Sequence, residues 1–97
     1  MNEREDLRFQ ILAILLDQPA YTTNQEVLLT KLHERGYMID RARIRVELAW
    51  LANVDTILVK QPGGVWIATL GEAGDEHLRG YSIIPGIRPP KPGEGFN

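Results

Sequence analysis

Asp40-Arg-Ala-Arg-Ile-Arg-Val-Glu-Leu-Ala-Trp-Leu-Ala-Asn53 is the stretch whose reading decides the rest of the chain. Asp40 suits a helix N-cap, because its carboxylate takes a free backbone N–H and favours the positive helix end. Ile44, Leu48 and Leu51 follow at i, i+4 and i+7, so one stripe faces a core. Arg41, Arg43 and Arg45 crowd the first turn and a half. Ala42, Val46, Ala49 and Asn53 lie opposite the stripe, with Trp50 beside them. Two runs rich in β-branched and aromatic residues come next, 57–61 and 65–70. Pro62-Gly63-Gly64 between them supplies a turn, so this helix predicts a β-hairpin after it.

Toward the N-terminus, residues 3 to about 17 read as helix. Leu7, Ile11, Ile14 and Leu15 fill one side, and Leu12, Leu16 and Phe9 carry the apolar surface round to the other. A helix covering one core needs an apolar stripe of just over ~100°, and this one is nearly twice as wide. Such a helix is either sandwiched inside its domain or paired with another subunit; in a chain this small the second is expected. Pro19 blocks continuation. Thr23 and Glu26 form a capping-box pattern that opens a second helix, with Val27, Leu28, Leu29 and Leu32 as its buried set. Gly36 suits the position just past its end. Tyr37-Met38-Ile39 then reads as an extended link into Asp40, where a short strand pairing with the hairpin is expected.

On the other side, Gly71 to Arg79 fits a short last helix with Ala73 and Leu78 facing inward. From residue 80 onward, four glycines and four prolines leave no room for regular structure. Tyr81, Ile83, Ile84 and Ile87 are too apolar for a solvated linker, so this segment is expected to lie extended across a surface, with Pro89 to Asn97 projecting beyond it. The division is therefore a domain over residues 1–79 and a Pro/Gly-rich tail over 80–97, without internal repeats.

Ninety-seven residues support one core. An apolar share of 43% with 25% charged residues is that of an ordinary globular protein. No apolar run approaches the roughly 20 residues of a membrane span, and the charged start Met1-Asn-Glu-Arg-Glu-Asp6 does not read as a secretory signal. The absence of cysteine excludes disulfides, thiolate metal sites and cysteine nucleophiles, and the cytoplasm is the expected compartment. Net charge is −2, which does not favour nucleic acid. Positive charge is local instead: three of the eight arginines, Arg41, Arg43 and Arg45, crowd one short stretch, with Arg35 shortly before it and Arg8, more loosely, in the first helix.

Helix, helix, short strand, helix, hairpin and helix is the order of an α+β winged helix-turn-helix: a three-helix core, a β-hairpin wing, a short C-terminal helix and an extended tail. The phrase Val46-Glu-Leu-Ala-Trp-Leu51, leading through Val54 into the hairpin, resembles winged-helix regulators of the ArsR and MarR type. So does Ala68-Thr-Leu-Gly-Glu-Ala-Gly-Asp-Glu-His-Leu78, except that Gly71 stands where the usual threonine would cap the last helix. The Leu48-Ala-Trp-Leu51 phrase and the ending Ile84-Pro-Gly-Ile-Arg-Pro89 also resemble a family of small winged-helix proteins of Mu-like phages and prophages. That resemblance spans almost the whole chain and implies a DNA-binding fold in a phage context, with no particular operator.

The residues themselves allow two functions. In the first, the chain is a transcription-regulator-like DNA-binding protein. The third helix enters the major groove of duplex DNA, with Arg41, Arg43 and Arg45 on bases and phosphates and Arg35 and Lys60 on flanking phosphates. A homodimer formed through the first helix, last helix and tail would then span two half-sites. That reading requires the cationic start of residues 40–53 to face solvent beside the hairpin; it is to be abandoned if those guanidiniums are tied up by carboxylates or hidden under a neighbouring chain. In the second, the same fold serves protein contact, as a phage assembly or adaptor module, consistent with the acidic total, the nearly uncharged wing tip and the alanine-rich outer helix face. Trp50 and Trp66 read as packing residues. His33 and His77 have no partners spaced for a metal, and no nucleophile–base set is visible, so neither enzyme activity, cofactor, metal nor small-molecule ligand is expected.

Overall fold

Asn2 opens the first helix, α1 (Glu3–Leu16), its side chain accepting the N–H groups of Arg4 and Glu5. In the computed structural model, which describes residues 2–94, five further elements of the expected pattern follow. These are α2 (Gln25–Glu34), α3 (Arg41–Asn53), a hairpin of β2 (Ile57–Lys60) and β3 (Ile67–Leu70), and α4 (Glu72–Leu78). The remaining strand, β1 (Thr22–Asn24), falls where the capping box was expected. It pairs antiparallel with β3, Thr22 opposite Thr69 and Asn24 opposite Ile67, giving a sheet of order β1-β3-β2.

The third strand therefore comes from the segment before α2 and not from Tyr37–Ile39. Thr22 is committed to the sheet, donating its hydroxyl to the Ala68 carbonyl at 3.0 Å. Asn24 is the cap in place of Thr23, accepting the Val27 N–H at 2.9 Å. Threonine and asparagine bond readily to nearby backbone, which makes cap and strand end hard to tell apart from sequence. The turn of the hairpin is a single 3-10 turn over Pro62–Gly64, and α4 starts at Gly71 without a side-chain cap. The result is an α+β architecture compatible with a winged helix.

The core follows the helical stripes. Ile44, Leu48 and Leu51 of α3 are fully buried, as are Leu28 and Leu32 of α2, with Leu29 nearly so. Helix α1 lies at the centre, packed against α2, α4 and β3, and Leu7, Phe9, Ile11, Leu12, Ile14 and Leu15 are all 1% exposed or less. Its wide apolar face is thus covered within the chain, and the reason for placing a second subunit on α1 falls away.

Part of that cover is the C-terminal segment. Ile87 is buried, and the Arg88 N–H donates to the Glu5 carbonyl at 3.1 Å. His77 of α4 ties the segment down from the other side. Its Nδ1 accepts the Ile84 N–H at 3.0 Å, so the proton sits on Nε2, which donates to the Arg88 carbonyl at 2.9 Å. Burial pushes the His77 pKa below its ordinary value. The Arg88 guanidinium packs over Phe9, 4.0 Å from the ring centre, and bonds Asp6 and Glu94. Residues 89–94 consequently fold back instead of projecting, while 95–97 lie outside the described residues. Gly86 makes the close approach possible: its φ is +95°, and a Cβ there would lie 2.7 Å from the Trp50 ring.

Candidate nucleic-acid interface

Each of the five cationic candidates has a definite place. Arg43, in the first turn of α3, donates Nε to Glu47 one turn on, at 3.0 Å. Glu47 is only 1% exposed and also receives Nε of Arg8 at 2.8 Å, with Arg4 at 3.8 Å. Arg8 in turn stacks on Trp50, 3.7 Å from the ring centre, and donates to the Gly86 carbonyl at 2.9 Å. A buried carboxylate needs such partners, because desolvating it unpaired is costly. Arg43, a third exposed, therefore borders the joint between α1, α3 and the C-terminal segment, with its charge paired to buried Glu47.

Arg35 sits at the end of α2 and turns back onto α1, donating to Gln10 at 2.7 Å. The structure does not bring it to the start of α3. Lys60 is exposed at the end of β2, next to the hairpin turn.

Arg41 and Arg45 stand one turn apart on α3, and both meet the N-terminus of α2. Arg41 forks onto Glu26, Nε at 2.7 Å and a terminal nitrogen at 2.9 Å. The guanidinium holds the Glu26 carboxyl below its usual range, with a smaller contribution from Gln25. Both partners are more than half exposed, so the pair is weak and exchangeable.

Arg45 differs in kind. Its Nε donates to Oε1 of Gln25 at 2.8 Å, and its guanidinium carbon lies 5.8 Å from the centre of the Trp66 ring. Gln25 is buried, and its backbone N–H bonds the Trp66 carbonyl at 2.9 Å. Its amide nitrogen donates to Glu26 at 3.1 Å, which fixes which way round the amide lies. A continuous polar row thus runs Arg45, Gln25, Glu26, Arg41 across the start of α2 and α3, beside the turn end of the hairpin at Trp66.

Sequence reading missed Gln25, Glu26 and Glu47 as site residues. Gln25 lies in register with Leu28, Leu29 and Leu32, and Glu47 with Ile44, Leu48 and Leu51; a polar residue on a core stripe was the available signal. Outside this row, α3 presents Val46 at 62% exposed, with Ala42 and Ala49 also exposed on the same stripe. Among the described residues no three His, Asp or Glu side chains gather as a metal set, and no helix is long and apolar enough to cross a membrane.

No protein-family model matches the chain, and no solved structure matches it. The chain is similar to a protein of Escherichia phage Mu, "Uncharacterized protein gp26", at 28% identity over 88 residues that cover 91% of each chain.

Proposed function

We propose that this chain is a duplex-DNA-binding protein of phage type, regulator-like, that inserts α3 into the major groove. The observation that carries the reading is the position of Arg45 and Arg41, on the solvent side of α3, between the start of α2 and the hairpin. The contact set is narrower than the sequence suggested: Arg45 and Arg41 on α3 and Lys60 on the wing. Arg43 and Arg35 serve the fold. Carboxylates hold Arg41 and Arg43, which meets for two of the three α3 guanidiniums the condition set against this reading. It survives on Arg45, bonded to an amide, and on the exposed, exchangeable Arg41–Glu26 pair, while Glu26 and Asp40 offset two positive charges. Binding driven by bulk charge is therefore weak. With about two phosphates neutralised per chain, affinity falls roughly tenfold between about 50 and 200 mM salt.

Fluorescence anisotropy of labelled duplexes across a salt series tests this, with the Arg41→Ala/Arg45→Ala/Lys60→Ala variant alongside. Binding that is equally weak in both proteins, or flat with salt, removes the reading. Two half-sites require a pair of chains, and with α1 enclosed, Tyr81 and Ile83 of the C-terminal segment are the exposed apolar residues left on the expected pairing side. Sedimentation equilibrium decides this, and a monomer leaves a single site per chain.

A second reading, protein contact by the outer face of α3, is favoured by the exposure of Val46 and of Met38 in the preceding link, at 76%. Val46→Lys separates the two. On the DNA-binding reading a long side chain at this position holds the helix off base edges and lowers affinity for a preferred duplex, whereas on the protein-contact reading it breaks a partner's apolar seat and leaves DNA affinity unchanged.

A further inference from the structure

We infer that Arg45 is the specificity-determining residue of this interface, that it reads a guanine in the major groove, and that Gln25 is the residue that positions it. The inference rests on the DNA-binding reading and adds to it the ligand atoms and a second-layer residue.

Three features single out Arg45. The first is which of its nitrogens are engaged. Gln25 takes only Nε, so the two terminal nitrogens keep the edge that matches the O6 and N7 acceptors of guanine. Arg41 has Nε and a terminal nitrogen bound to Glu26, and Arg43 has Nε committed to buried Glu47. Arg41 cannot offer that edge without first breaking an ion pair. Arg43 is also held through Nε alone, but by a buried carboxylate that neutralises its charge, whereas the Gln25 amide leaves the charge of Arg45 intact.

The second is restraint. A free arginine loses much rotamer freedom on binding. Arg45 is half-buried, held at Nε by a buried amide and flanked by the Trp66 ring. The amide itself is oriented by Glu26 on one side and by its own backbone bond to Trp66 on the other. Much of the ordering that readout demands is already present in the free protein. A guanidinium meant only for phosphate has no need of this, since phosphate contacts tolerate many geometries.

The third is access. Ala42, Val46 and Ala49 around Arg45 are exposed and short, so the helix meets no long side chain that would keep its backbone away from base edges. Methyl groups of this kind suit a thymine methyl beside the guanine. Charge supports the same conclusion: a face with so little net positive charge gains discrimination from a base contact rather than from phosphate.

The test is selection of a preferred site from a random duplex pool by the wild-type chain, followed by titration of that site. Each guanine in it is replaced in turn by 7-deazaguanine, which lacks only the N7 acceptor, and by adenine. One guanine is expected to matter by about 5- to 150-fold for adenine replacement, with a smaller loss for the deaza base. Arg45→Ala removes that preference while keeping residual salt-dependent binding. Arg45→Lys keeps the charge but not the fork and loses most of the preference. Gln25→Ala reduces the preference for guanine more than it reduces binding to unrelated duplex, a split that a merely structural role would not give.

Retention of the same guanine preference by Arg45→Ala overturns the inference, as does a site in which no guanine responds to the deaza base. Duplex binding without any base preference overturns it too, yet leaves the DNA-binding reading standing. Absence of duplex binding at low salt by the wild-type chain overturns both. Arg45→Lys keeps the test decisive if either alanine variant fails to fold by circular dichroism.

Discussion

Removing Glu47 is the sharpest perturbation of this fold. The carboxylate is 1% exposed and receives Arg8 and Arg43 at 2.8 and 3.0 Å. Breaking a buried ion pair by deleting one partner typically costs about 3–5 kcal/mol, because a desolvated charge is left behind. Here Arg8 keeps the Gly86 carbonyl and the Trp50 face, and Arg43 is a third exposed and turns to water. The lower end, about 3 kcal/mol, is therefore expected for Glu47→Ala. For a chain of this size each kcal/mol moves Tm by about 4–8 °C, so the loss is roughly 12–24 °C. Glu47→Gln keeps the shape without the charge and falls in between. Arg43→Ala changes stability by less than about 1 kcal/mol. Adding Arg8→Met to Glu47→Ala recovers part of the loss, since both buried charges are then gone. Urea and thermal unfolding followed by far-UV circular dichroism measure all four. A loss below about 1 kcal/mol for Glu47→Ala, or an equal loss for Arg43→Ala, would refute the claim that this carboxylate anchors the joint.

Other expectations concern the C-terminal segment and the α2–α3 row. Gly86→Ala combines a disfavoured φ with overlap on Trp50 and should cost about 2–4 kcal/mol. It should also shift tryptophan emission to the red as the segment lifts; unchanged emission would argue that the contact is not maintained in solution. Burial lowers the His77 pKa in the fold, so below the unfolded value of about 6.5 the unfolded chain binds more protons. Stability is then flat above that pH and falls beneath it. The urea midpoint should drop between pH 7.5 and 5.5, and His77→Gln should flatten that drop. Glu26→Gln frees Arg41 and removes a negative charge from the face, so on the DNA-binding reading duplex affinity rises. Weaker binding would count against Arg41 as a phosphate contact.

Much of the architecture is legible from periodicity. Asp40 and the Ile44, Leu48, Leu51 stripe located α3, and Pro62-Gly63-Gly64 between two β-rich runs located the hairpin. The width of α1's apolar surface correctly signalled two covered faces, but not what covers the second. Its cover includes Leu78 and Ile87, about 70 residues on, and Ile87 sits in a segment whose proline and glycine content hides any regular pattern. The charged interior was harder to read. Arg8, Glu47 and Arg88 are buried because they complete one another, and pairings between residues 39 or 82 positions apart leave no local trace. The candidate site was read in part: the α3 arginines were visible, whereas the roles that divide them depend on Gln25, Glu26 and Glu47, which only the folded chain brings alongside.

The enclosure of α1 by residues from 84 onward has a consequence for how the molecule is made. A ribosome that has released the first 80 residues has delivered the hydrophobic centre without one of its walls. Until Ile87 and Arg88 emerge, Leu7, Phe9 and their neighbours have no complete shelter, and the bond between Arg88 and Asp6 closes a loop of 82 positions. Such closure is entropically expensive and slow. Chains cut short before residue 87 should thus be sticky, proteolysis-prone species.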